Sequence, residues 1–296
     1  MFVVKKIVVK ALNALVRPFG AKIVKLGSGP VFIAGPGPSD CYMANEELSK
    51  MLLDELSDVS RAFFLQRLPG LAPTGFDFRA EVEKFMSICR DGQQQNNVGG
   101  SGFHNSFWIF LTARALDPEL IVESGVFKGH TSKLFERACP NATIHGFDIN
   151  LGKLEDKTGR AQFHEYDWSC FDFGKVNPNK ALVLFDCHVN HARRLLEAQA
   201  RGFKHLIFDD NPPLHKLYAY GRPGFPTANM LHNGLSADLS EVRWRWHDKQ
   251  IDYTLNRVEA EAAAKVIAQH EVYPDVAGPT RYGAFSYSFL TYVRIK

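Results

Sequence analysis

"ELIVESGVFKGHTSKLF", residues 119–135, decides the fold. Leu120, Ile121 and Val122 form a short apolar run suited to a buried parallel strand. Gly125 and Gly129 follow, and Thr131 and Ser132 stand where a helix would begin, its first N–H groups lacking partners within the helix. A strand that turns through glycines into a helix can receive a ligand, because glycine lets it approach the backbone and the helix start offers donors. The dinucleotide fingerprint G-x-G-x-x-G is absent: the two glycines are four residues apart and the strand ends in an acid, Glu123. NAD is therefore not the expected ligand.

From residue 119 to 210, short apolar runs alternate with helical segments, the pattern of βαβ units. Strands are expected at 120–123, 143–148, 162–166, 181–186 and 205–209, and "YSFLTYVRIK" closes the chain as another. Upstream, 44–66, 77–89 and 104–115 read as helices, with Leu48, Met51, Leu52, Leu56 and Val59 at helical spacing in the first. Between the last two lies "DGQQQNNVGGSGF", a polar, glycine-rich stretch that reads equally as a lid or a linker. The expected organisation is a basic amphipathic helix at 1–26, a helical extension with a lid at 27–117, and an α/β domain at 118–296. The α/β domain is expected to be Rossmann-like, mostly parallel, with an antiparallel C-terminal strand.

Each strand of the series ends in or beside an acid: Glu123, Asp148, Asp167, Asp186 and Asp209. In an open parallel sheet with right-handed crossovers the carboxyl ends lie along one edge, where ligands bind. Carboxylates crowded along one cleft repel one another, so the row calls for something positive or hydrogen-bonding between them. The bland alternative is that each acid caps the helix that follows it.

Bulk properties narrow the class. At 45% apolar and 23% charged, the chain reads as an ordinary soluble globular protein. Five cysteines without a C-x-x-C pair indicate neither a disulfide framework nor a zinc cluster, and point to a reducing, cytoplasmic setting. A net charge of +3 gives no support for a nucleic-acid partner. Its distribution is uneven: Lys5, Lys6, Lys10, Arg17, Lys22 and Lys25 precede the first acid, Asp40, and without these six the chain has 29 basic residues against 32 acids. Lys6, Lys10 and Arg17 share a helical face opposite Ile7, Val8, Leu12 and Leu15. Two readings of this segment stay open, peripheral contact with an anionic inner membrane face and docking on its own domain or on a second subunit.

Asp148 lies 23 residues beyond Gly125, close to the spacing at which an acid after the second strand accepts from ribose hydroxyls. With the E-x-G-x-x-x-G turn and "FHEYDW" after the third strand, the series resembles class I S-adenosylmethionine-dependent methyltransferases. That resemblance implies Glu123, Gly125, Gly129 and Thr131 at the cofactor's amino-acid end, Asp148 on its ribose, and Asp167 with Trp168 beside its adenine. The stretch "ALVLFDCHVNHARRLLEAQARGFKHLIFDDNPP", residues 181–213, resembles the metal region of the macrocin-type sugar O-methyltransferases and of sequences that carry the name cephalosporin hydroxylase. It implies Asp186, Asp209 and Asp210 as ligands of Mg²⁺ and a sugar hydroxyl in a glycan, glycolipid or secondary metabolite as the acceptor. His188 and His191 depart from that pattern and leave the ligand set open.

Hard oxygen donors from adjacent strand ends suit Mg²⁺, which could lower the pKa of an acceptor hydroxyl and orient it. His188, two residues past Asp186, is a candidate to take the proton. His104 and His130 are lesser candidates for cofactor contact, and Trp244 and Trp246 read as strand packing. Two other classes stay open, a Rossmann oxidoreductase using the same edge and a non-catalytic membrane-associated scaffold.

Overall fold

The computed structural model describes residues 46–90, 100–155, 158–219, 223–246, 249–276 and 288–296, together with two short strands, β1 (Lys22–Lys25) and β2 (Val31–Ala34). Those two pair antiparallel, so the end of the expected 1–26 helix is a hairpin strand, as a chain broken by Pro18 and Gly20 allows. The rest of that amphipathic segment and the glycine-rich stretch from 91 to 99 lie outside the described residues.

Three helices precede the sheet: α1 (Glu46–Arg67), α2 (Phe78–Arg90) and α3 (Phe103–Leu116). α3 is buried almost all round, as its sequence "FHNSFWIFLTARAL" requires of a helix with no polar face. Its Trp108 stacks on Tyr273 with ring centroids 5.1 Å apart, and its Thr112 hydroxyl lies 2.6 Å from the Tyr273 hydroxyl. These contacts fix α3 against the C-terminal part of the chain.

The main sheet comprises β3 (Leu120–Ser124), β4 (Thr143–Phe147), β5 (Gln162–His164), β6 (Ala181–Phe185), β7 (His205–Phe208), β10 (Ile267–Val272) and β11 (Thr291–Ile295), in the spatial order β10-β11-β7-β6-β3-β4-β5. Strands β3 to β7 are mutually parallel, and β11 is antiparallel to both of its neighbours. This is a Rossmann-like α/β fold. Strand order reverses between β3 and β6, the switch point at which such sheets open a crevice beyond their carboxyl ends.

Both faces of the sheet are covered, and the period of two sorts the strand residues between them. Ile121, Ile144, Leu182, Leu184 and Ile207 pack with the α1–α3 helices and with α4 (His130–Ala138). Val122, Val183, Phe185, Leu206 and Phe208 pack on the other side with α5 (His191–Ala200), α6 (Ala228–Asn233) and α7 (Arg257–Val266). Outside the sheet, β8 (Glu241–Trp246) and β9 (Lys249–Thr254) form a hairpin whose Trp244 is half-buried against Tyr253, the packing role expected of it. No helix among the described residues is long and apolar enough to cross a membrane.

Candidate active site

The glycine turn after β3 is shaped by its neighbours. Gly125 has φ +99°, and a β-carbon there would lie 2.3 Å from the backbone carbonyl oxygen of Asp186, so only glycine lets the turn pass the end of β6. Gly129, at φ 85°, caps α4 without any side-chain cap bond. The helix begins at His130, so Thr131 and Ser132 lie in its first turn as expected, and their hydroxyls turn to other partners. Ser132 donates its hydroxyl to Glu123, and Thr131 donates to the Ser101 hydroxyl at 3.3 Å.

Asp148 closes the turn from the next strand end. One carboxylate oxygen accepts the N–H groups of Val126 and Phe127, each at 3.1 Å, and the other accepts from Asn150 at 2.9 Å. The carboxylate is half-buried and stands directly beside the glycine turn. The next residue, Ile149, is 79% exposed, an apolar side chain left bare at the sheet's ligand edge. Tyr166, beyond the neighbouring strand β5, is also exposed and has its ring centroid 5.9 Å from that of Phe147. Exposed apolar and aromatic surface beside an acid suits a flat ring joined to a sugar. Neither residue was singled out in the sequence, although the first directly follows Asp148.

Trp168 lacks the open ring face that the resemblance implies, and Asp167 is ion-paired. Trp168 is 0% exposed, packed on Phe185 and Phe203, with its indole N–H donated to Glu197 at 3.1 Å. A ring so enclosed is core and has no face for adenine. Asp167 is held by both terminal nitrogens of Arg194, a side chain only 1% exposed that also reaches Glu197 at 2.7 Å and, through Nε, the Cys187 sulfur at 3.3 Å. Although partial burial opposes it, pairing with Arg194 and Ser169 holds the Asp167 carboxyl well below the usual carboxylate range. Asp167 therefore anchors its loop to α5, next to the Asp186 loop.

Glu123, Asp186, Asp209 and Asp210 form the carboxyl cluster at the ends of β3, β6 and β7. Burial pushes the Glu123 carboxyl up to about 8, against the lowering effect of Ser132. Asp186 is raised well above the usual range by burial, by Asp209 and by Asp210. Asp210 is raised to about 7 by burial and by Asp209. Such a group gains from a cation placed among it. Ligand atoms of Asp186, His188 and Asp210 lie within 4.8 Å of one another, two oxygens and a nitrogen that one divalent cation can share. His188 Nδ1 is 3.3 Å from an Asp210 oxygen, and both residues adopt positive φ, 53° and 45°, an uncommon conformation outside glycine. Asp209, expected among the ligands, is instead turned toward Asn105 and Ser288.

His191 is buried and accepts the Ala228 N–H at 3.1 Å, and fully buried His104 accepts that of Val276 at 3.2 Å. His130, at the start of α4, lies 3.6 Å from Glu155.

No protein-family model and no curated protein matches the chain. Among solved structures, it is similar to CmcI in its Mg-SAM form, at 18% identity over 41% of this chain and 57% of that one, with a TM-score of 0.34. The chain thus spans little more than half the length of CmcI. It is also similar to the SAH-bound methyltransferase PaMTH1 of Podospora anserina, at 13% identity over 92% and 100% of the two chains, TM-score 0.38. A third is the O-methyltransferase TomG of Streptomyces achromogenes in complex with SAM, at 14% identity over 68% and 95%, TM-score 0.36. At such identities and scores, the chemistry of the site rests on its own geometry.

Proposed function

We propose that the protein is an S-adenosylmethionine-dependent O-methyltransferase, assisted by a divalent cation, with a sugar hydroxyl in a glycan, glycolipid or secondary metabolite as its acceptor. The observation that carries this reading is the packing of Gly125 on the Asp186 carbonyl, which sets a ligand turn and a carboxyl cluster side by side at the switch point. S-adenosylmethionine, when bound, supplies a methyl group on a sulfonium; a divalent cation, Mg²⁺ in the simplest case, supplies Lewis acidity toward a hydroxyl. Gly125 and Gly129 leave room along the backbone for the cofactor's amino-acid end, and the Asp148 carboxylate beside them is placed for ribose hydroxyls. Ile149 offers the adenine an apolar surface. Asp186 and Asp210 hold negative charge beside that turn, and His188 stands at their exposed side, its Nδ1 3.3 Å from an Asp210 oxygen, able to ligate or to accept a proton.

The reading is tested by incubating the protein with methyl-labelled S-adenosylmethionine and a panel of sugar and phenol acceptors, with and without a chelator. Label should appear on an acceptor hydroxyl, fall strongly with chelator and return with added Mg²⁺. Full turnover in excess chelator would remove the cation from the mechanism, and labelling of carbon or nitrogen alone would remove the O-methylation.

A further inference from the structure

The acids at the carboxyl ends of β6 and β7 are not equivalent. Asp209 is 6% exposed, and both of its oxygens already accept hydrogen bonds: one from Asn105 Nδ2 at 2.8 Å, the other from the Asp210 N–H at 2.7 Å and from the Ser288 hydroxyl. Asn105 Nδ2 also donates to Ser288 Oγ at 2.9 Å, so α3, the end of β7 and the residue leading into β11 are tied through this one carboxylate. The three hydrogen bonds to Asp209 engage three of the carboxylate's roughly four lone-pair sites and hold it in one orientation. Asp210 and His188 differ from it in access: their side chains are 30% and 56% exposed, and they face each other across the two loop ends.

We propose that a divalent cation at this edge is held by Asp186, His188 and Asp210, that Asp209 is a positioning residue outside the ligand set, and that the imidazole makes the site prefer a transition-series cation to Mg²⁺. The inference rests on the cation-assisted reading above and refines it. Three observations carry it: the mutual approach of ligand atoms from Asp186, His188 and Asp210, the tethering of Asp209 by Asn105, Ser288 and the Asp210 N–H, and the nitrogen in the donor set. Mg²⁺ takes oxygen ligands and gives up its water reluctantly, whereas an imidazole nitrogen suits later first-row ions. Asp209 acts through the chain beside it: by accepting the Asp210 N–H, it helps hold Asp210 in the positive-φ conformation in which its carboxylate faces His188.

The test uses the full chain and the metals alone, Co²⁺ and Mg²⁺, titrated by calorimetry, with the visible absorption of bound Co²⁺ as a second readout. Wild type should bind Co²⁺ more tightly than Mg²⁺ by about tenfold or more. His188→Gly, a change compatible with the positive φ, should lower Co²⁺ affinity by about tenfold or more, leave Mg²⁺ affinity nearly unchanged, and alter the Co²⁺ spectrum. Asp209→Asn should weaken binding of both ions by about tenfold while the Co²⁺ spectrum keeps its wild-type shape, because the ligands are the same. Ser288→Ala, a milder change, should act in the same direction and guards against a folding failure of the first variant. If Asp209→Asn alters the spectrum while His188→Gly does not, the three acids are the ligands: the proposal is overturned while cation assistance stands. If neither ion binds at millimolar concentration, both fail, and methyl transfer remains separately testable through cofactor binding.

Discussion

The α-carbon of Gly125 packs on the backbone carbonyl of Asp186, leaving no space for a side chain: an added β-carbon would be 2.3 Å from the oxygen and 2.5 Å from the carbon. One contact therefore joins the turn assigned to the cofactor with the strand end assigned to the cation. Gly125→Ala must move one of the two, and its φ of +99° adds backbone strain. The expected loss is about 1–3 kcal/mol of stability in urea unfolding, with weaker binding of both S-adenosylhomocysteine and a divalent cation. A variant that lost only one of the two ligands would show that the sites are not mechanically joined.

Asp148→Ala removes the acceptor for the Val126 and Phe127 N–H groups as well as the group assigned to the ribose. Cofactor affinity should fall by about 1.5–3 kcal/mol, the range for hydrogen bonds to a charged group, with the domain still folded. Calorimetry showing unchanged affinity would remove Asp148 from the cofactor site.

The ligand-free protein should lose stability as pH rises. Burial lifts the Glu123 carboxyl from its ordinary 4.5 to about 8, so the folded chain keeps a proton that the unfolded chain releases across that window. Stability from this group is full below the unfolded value and is lost as pH rises through the folded one. Melting temperature should therefore fall more steeply between about pH 5 and pH 8.5 in wild type than in Glu123→Gln. Equal slopes in the two proteins would mean that Glu123 is ionised throughout.

Arg194, 1% exposed, is a buried cation outside the cluster. Arg194→Met would leave Asp167 and Glu197 facing each other without their shared cation, at a cost of about 3–5 kcal/mol. Because the same guanidinium touches Cys187, beside Asp186, cofactor and cation affinities should fall together. Wild-type affinity in a destabilised but folded Arg194→Met protein would confine its role to stability.

The parallel strands and the acids at their ends were legible because both are local: an apolar run followed by Glu123, Asp148, Asp186 or Asp209 can be read within a few residues. What lies beside each acid is not local. Asp209 and Asn105 are 104 positions apart, and Asp209 and Ser288 are 79 apart, so neither bond leaves a trace in spacing. Trp168 follows the acid that the resemblance places near adenine, yet β5 ends at His164 and the loop turns the indole into the core between Phe185 and Phe203. Arg193 and Arg194 are adjacent in "HARRLL", and only the packing of α5 on the Asp167 loop distinguishes the second from the first. Asp186 and His188 could be paired from sequence because a single residue separates them, whereas the opposing turn at Asp210 needed the sheet order.

The central claim is that the glycine turn between β3 and α4 takes S-adenosylmethionine. Its most direct test is calorimetric titration of the full chain with S-adenosylhomocysteine and, in parallel, with NAD. Saturable one-to-one binding of S-adenosylhomocysteine, weakened in Asp148→Ala, with no measurable heat from NAD, is the predicted result. Binding of NAD with no response to S-adenosylhomocysteine would contradict the account and return the site to a Rossmann oxidoreductase.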